Sequence, residues 1–219
     1  NVSVQVVEGV LKHTKLKLNE IEISDFLSEE YISKIKFNKG KEVQVCSSLE
    51  GQVVAIADEI AQRGHDVDDA LTSGVMTINE LLDRFAIEKC SVLRSRIEEE
   101  IENINNSAYS IVDREELKTA RIVSIIINYF VENTIKHSVE NIDNYQYLGE
   151  ITMDNEIKII EFPEDVEKVN DYLEKVVQKK VICNSEVARA DYNASMIVQT
   201  LFKKYYCNPR LLHSGTVHR

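Results

Sequence analysis

Residues 48–74 read SLEGQVVAIADEIAQRGHDVDDALTSG, and the spacing of their apolar side chains decides the fold class. Leu49, Val53, Ile56 and Ile60 fall on one side of a helix, while Val54, Ala55, Ala57 and Ala61 make most of the remainder small or apolar. The pattern predicts a helix to about Leu71, closed by Gly74 and buried nearly all round. Asp58 interrupts this run. A buried, unpaired carboxylate is costly, so Asp58 has to reach solvent, take up a proton, pair with a base or bind a metal. Helical geometry sets Asp58, Gln62, His65 and Asp66 near one face, at offsets of four, seven and eight residues. Taken alone, that polar stripe reads first as the ordinary solvated face of an amphipathic helix.

Outward from this segment, the chain looks predominantly helical. Its 219 residues contain only 7 Gly and 2 Pro, few turn-formers for a many-stranded sheet, and its 43% hydrophobic and 29% charged residues suit a folded domain. Amphipathic spacing predicts helices ending at Lys12-His13, over Asp25–Phe37, from a Thr77/Glu80 capping box, over Val92–Asn105, from Asp113 to about Val139, after Pro163, and from Ser185 to about Tyr206. Val4, Val7, Val10 and Leu11 mark the apolar side of the first. Ile122, Ile125, Ile126, Tyr129, Phe130, Val131 and Ile135 mark that of the long one. The Asn-, Asp- and Tyr-rich stretch 141–149 divides the chain into parts 1–140 and 141–219. Residues 151–160 suit a short β hairpin about Asp154-Asn155, with a loop or a helix equally compatible.

A formal charge of -11 disfavours non-specific binding to nucleic acid or anionic lipid. The most apolar stretch, Ile122–Val131, is well short of the roughly 20 residues that span a bilayer. Cys46, Cys90, Cys183 and Cys207 form no CxxC knuckle or disulfide framework, which suits reduced thiols in the cytoplasm. Gly-rich phosphate loops, a Gly-x-Ser-x-Gly elbow and a calcium loop are all missing from the sequence.

Leu49-Glu50, Gln52-Val53-Val54, Asp58-Glu59-Ile60-Ala61, His65-Asp66 and Asp68-Asp69 together resemble the deoxynucleoside triphosphate triphosphohydrolases of the HD superfamily, the dGTPase-like enzymes. Val7–Thr14, Arg121–Ser138 and Asn208–Arg219 are similar to other parts of that family. The resemblance implies an all-α chain comprising the latter half of an HD domain (1–140) and an associated C-terminal helical region (141–219). It implies an enzyme that hydrolyses dNTPs to deoxynucleoside and triphosphate, with a divalent cation (Mg, Mn or similar) assisting attack of water at the α-phosphorus. In that family one histidine, a His-Asp pair and a lone aspartate hold the metal, and the resemblance places the lone aspartate at Asp58.

His65-Asp66 is not that pair, because it shares a helix with Asp58. The resemblance therefore implies that the remaining ligands and the catalytic histidine and glutamate precede Asn1, and that this portion alone is inactive. It places Asp66 at the substrate 3′-hydroxyl, and Gln62 where a tyrosine commonly packs on deoxyribose, so an amide replaces an aromatic face there. Arg121, Lys136 and His137 fall in a region that lines nucleotide or subunit contacts in relatives, although each reads first as a surface charge on a long helix; His13 could approach a phosphate, although a charge at a helix C-terminus is the commoner reading. The expected partners are dNTPs and further copies of the chain, without membrane or strong non-specific nucleic-acid binding. The competing class is a non-catalytic helical module for nucleotide binding or oligomerisation.

Overall fold

The computed structural model describes residues 3–13, 28, 33–34, 45–108, 111–148 and 157–212. Apart from residues 28 and 33–34, the helix expected over Asp25–Phe37 lies outside them. Among the described residues the regular elements are all helical: α1 (Val4–Lys12), α2 (Leu49–Thr72), α3 (Ile78–Arg84), α4 (Ser91–Asn105), α5 (Ile111–Leu148), α6 (Glu164–Val177) and α7 (Ser185–Cys207). The all-α expectation holds. The chain forms two compact units, residues 1–174 and 175–219.

Local signals in the sequence set most helix ends. Ser48 caps α2 by accepting a hydrogen bond from the Gly51 amide, and the Thr77/Glu80 capping box opens α3 with both of its reciprocal bonds formed. Gly74, at φ 73°, supplies the left-handed turn after α2. Helix α5 does not stop near Val139 but runs through the Asn- and Asp-rich stretch to Leu148. Those residues are mediocre helix formers rather than breakers, and Asn141 is anchored there by donating to the Ile159 carbonyl at 3.0 Å.

In the first unit α2 packs on α5, α1 packs on α2, and α4 packs on α5. Ile56, Ile60, Val67 and Ala70 of α2 meet a core that includes Ile122, Ile126 and Phe130 of α5, Leu93 and Ile97 of α4, and Val166, Val169 and Leu173 of α6. Gly64 permits the close approach of α2 and α5: a Cβ there would lie 2.8 Å from Ile127 Cδ1.

Several expected core faces are turned differently. Val10 of α1 and Ile135 of α5 are exposed, and the buried side chains of α1 are Glu8 and Lys12. These two form a 2.9 Å ion pair that the Ser47 amide, the Ser47 hydroxyl and the Val45 carbonyl complete, so the charges are satisfied inside while Val6 and Val10 face out. The expected hairpin falls partly on residues 151–156, outside the described set, and residues 157–163 carry no strand. Side chains take up their backbone groups instead of a partner strand. Gln52 donates to the Ile157 carbonyl and accepts from the Ile159 and Ile160 amides, and the Glu161 amide donates to Ser138.

In the second unit a π turn over Gln178–Ile182 leads to α7, which has no buried residue and exposes Tyr192, Met196, Leu201, Phe202 and Tyr206. Phe202 and Tyr206 stack on each other at 5.8 Å. No helix among the described residues is long and apolar enough to cross a membrane.

Candidate functional site

Helix α2 has two unlike sides, and this corrects the expectation of a helix buried all round. Gly51, Gln52, Ile56, Ile60, Arg63, Gly64, Val67 and Ala70 face inward. The outward side carries Val53, Val54, Ala57 and Ala61 together with Asp58, Gln62 and His65. Val53 is 48% exposed and Val54 56%. Asp58 is therefore not held in the interior. The reason is geometric: packing on α5 fixes the Ile56/Ile60/Gly64 stripe inward, and position 58 then points away from it. The burial argument for a cation at Asp58 falls with this finding, and the assignment rests on the resemblance alone.

Asp58, Gln62 and Asp66 do share one face, at successive turns. Asp58 and Gln62 are exposed, and neither makes a hydrogen bond or ion pair among the described residues. Asp66 is half-buried, 3.5 Å from Arg63 Nη1. Burial pushes its carboxyl above the ordinary carboxylate range, with Asp69 and Glu174 adding to the rise and Arg63 opposing it.

The other candidates stand apart, on different elements. His13 sets Nδ1 2.8 Å from the Val10 carbonyl at the end of α1, which is a local helix-terminus contact. Arg121 pairs at 3.5 Å with Glu100 of α4, His137 lies 4.0 Å from Glu161, and Lys136 is exposed. An open cleft of about 850 Å³ lies at the C-terminal end of α2, between Asp68, Thr72, Asn79, Ile101 and Glu116, and Asp58, Gln62 and Asp66 do not line it.

Among the described residues no group of three or more His, Cys, Asp or Glu side chains could hold a metal ion. Asp58 can offer one unpaired carboxylate, so the donor chemistry fits a single ligand rather than a whole site. Sequence reasoning missed Arg63 and Asn170, which form the principal buried polar contact between α2 and α6. Their signal was present: position 63 continues the buried 56/60 stripe, and position 170 falls among Val166, Val169 and Leu173.

The sequence of this helical chain is similar to that of phosphohydrolase-related proteins. Residues 160–219 match the phosphohydrolase-associated domain. Over 214 residues the chain is 25% identical to a deoxyguanosinetriphosphate triphosphohydrolase-like protein of Rickettsia rickettsii (strain Iowa), covering 97% of this chain and 50% of the relative. A protein of the same name from Bartonella quintana (strain Toulouse) is 27% identical over 227 residues, covering 100% of this chain and 52% of its own length. One from Geobacter metallireducens (strain ATCC 53774 / DSM 7210 / GS-15) is 27% identical over 214 residues, covering 97% and 49%. The resemblance to HD-superfamily dGTPase-like proteins thus holds over nearly the whole chain. The chain spans about half the length of these curated relatives.

Proposed function

We propose that this chain is a portion of a metal-dependent dNTP triphosphohydrolase, which cleaves the bond between the α-phosphorus and the 5′-oxygen to give a deoxynucleoside and triphosphate. The observation that carries this reading is the similarity of nearly the whole chain to deoxyguanosinetriphosphate triphosphohydrolase-like proteins, with residues 160–219 matching the phosphohydrolase-associated domain. Asp58, the residue that the resemblance sets at the family's lone aspartate, is exposed and unpaired among the described residues, so its carboxylate is free to take up that role.

In this reading Asp58 contributes one ligand to a divalent cation such as Mg or Mn, with the other ligands supplied by the rest of the protein. The cation's chemistry is to polarise the phosphoryl group and favour deprotonation of the attacking water. Asp66 orients the sugar by accepting from its 3′-hydroxyl. Gln62 meets the sugar with an amide, which can donate as well as accept. His13, Arg121, Lys136 and His137 are cationic or protonatable groups for phosphate or a second nucleotide. The parent protein is a cytoplasmic homo-oligomer, and the exposed apolar run on α7 supports self-association.

The test uses the complete parent protein, with triphosphate release from each dNTP as readout. Asp58→Ala is expected to abolish turnover while helix content stays unchanged, and the isolated 219-residue chain is expected to be inactive. Turnover retained in Asp58→Ala would remove the metal role.

A further inference from the structure

Asn170 of α6 is wholly buried and grips one turn of α2 at two points. Its Oδ1 accepts from Arg63 Nε at 3.0 Å, and its Nδ2 donates to Glu59 Oε1 at 2.8 Å. Glu59 and Arg63 are each the next residue after Asp58 and Gln62, so the grip is on the turn that carries those two on its outward side. The same guanidinium extends Nη2 to Glu174 at 2.7 Å and Nη1 toward Asp66 at 3.5 Å.

One amide thus holds the side chains of the residues that follow Asp58 and Gln62, and reaches Asp66 through Arg63. Its chemistry is directional: an acceptor end must face the guanidinium and a donor end the carboxylate, which only one orientation of the amide satisfies. Packing on α5 decides which stripe of α2 faces inward, and the directional bonds to Asn170 add a preferred angle to that packing. At a side-chain radius of about 5–6 Å, a roll of about 20° moves a carboxylate by about 2 Å. Misplacement on that scale is enough to cost a positioned reaction about 100-fold or more.

We propose that Asn170, acting through Arg63 and Glu59, is a positioning residue that sets the roll of α2 and so aims Asp58, Gln62 and Asp66. The inference rests on the reading of those three as metal and substrate contacts. It also gives the phosphohydrolase-associated region, where Asn170 lies, a direct part in shaping a site borne on a helix outside it.

The experiment uses the complete parent protein, with kcat and KM for dNTP, Mn²⁺ affinity by titration calorimetry, and the unfolding midpoint as readouts. Asn170→Asp keeps an acceptor for Arg63 but sets a carboxylate against Glu59. It is expected to lower kcat by about 10- to 100-fold and to weaken Mn²⁺ binding, with native helix content. Combining it with Glu59→Gln moves the amide to the other side of the same contact and is expected to restore both. Arg63→Lys, which keeps a cation facing Glu174 but loses the planar fork, serves if Asn170→Asp fails to fold, and is expected to lower both in the same sense. Wild-type kcat and Mn²⁺ affinity in whichever of the two single variants folds would overturn the positioning role, as would losses that follow only the fraction unfolded. Full turnover in the Asp58→Ala control would instead overturn the underlying reading, and this inference with it.

Discussion

Glu8 and Lys12, one turn apart on α1, close a 2.9 Å ion pair from which solvent is almost excluded, and Ser47 donates to the same carboxylate through both its amide and its hydroxyl. Burial by itself would raise the Glu8 pKa, but the bonds from Ser47 and Lys12 outweigh it and hold the carboxyl below its ordinary range. Glu8→Ala leaves the Lys12 ammonium buried and unpaired, so a loss of about 3–5 kcal/mol is expected in denaturant unfolding. The sign with pH follows from the lowered folded value. The contribution is complete above the unfolded carboxylate pKa of about 4.3 and is lost as pH falls through the lower folded pKa. The gap in stability between wild type and Glu8→Gln should therefore narrow on acidification below about pH 4. A gap independent of pH would show that the charge of Glu8 is not what matters.

Gln52 ties three segments together. From α2 its amide donates to the Cys46 and Ile157 carbonyls, both at 2.9 Å, and accepts from the Ile159 and Ile160 amides. Gln52→Leu conserves much of the volume but leaves these buried backbone groups without partners, at about 1–3 kcal/mol for each one that water does not reach. An overall loss of about 3 kcal/mol or more is expected, with faster amide exchange at Ile159 and Ile160. Unchanged exchange at those two amides would count against the clamp.

The sequence made helix positions and starts legible because they are written locally. Ser48, the Thr77/Glu80 box and Gly74 each act within four residues of the boundary they set. Which face of each helix turns inward was less legible, since several α2 faces are apolar and only the partner helix decides among them. Val53 and Val54 look as suited to a core as Ile56 and Ile60, and it is the Gly64 approach to Ile127 that selects the second pair. The same ambiguity put Asp58 inside on paper and outside in the structure. Buried polar groups such as Glu8, Lys12, Gln52 and Asn170 were missed for a related reason: each is satisfied by a partner at least 30 residues away in sequence, which periodicity does not register. For the candidate site, the shared face of Asp58, Gln62 and Asp66 was readable from spacing, whereas the contact that orients that face was not.

The four thiols should divide cleanly by reactivity. Cys46 and Cys90 are buried, and burial pushes both thiols above their ordinary pKa. Cys183 and Cys207 are exposed. Because the thiolate is the reactive form, a chromogenic disulfide reagent at mildly alkaline pH is expected to label two thiols quickly in native protein and the remaining two only after denaturation. Peptide mapping should place the fast pair at Cys183 and Cys207. Rapid labelling of Cys90 in native protein would mean that the α4 junction opens far more readily than its packing suggests.

The α2–α5 contact offers the sharpest packing test. At Gly64 a Cβ would stand 2.8 Å from Ile127 Cδ1 and 2.9 Å from Cγ1, both side-chain atoms. Gly64→Ala therefore sets two opposing effects against each other: better helix propensity, by about 1 kcal/mol, and overpacking, which costs about 1–3 kcal/mol. The sum is expected to be destabilising, because Cγ1 of Ile127 as well as Cδ1 would stand under 3.0 Å from the new Cβ, so relief needs a turn about the stiff χ1 of a β-branched side chain or a parting of the helices. Ile127→Ala alone should also destabilise, by leaving a void beside Gly64. The double variant should lose less than the two single losses added together, since truncation at 127 removes the atoms that the Cβ at 64 would strike, and that Cβ fills part of the void. A coupling of about 1 kcal/mol or more in a double-mutant cycle is the expected result, and strict additivity would show that the two helices do not meet at this pair.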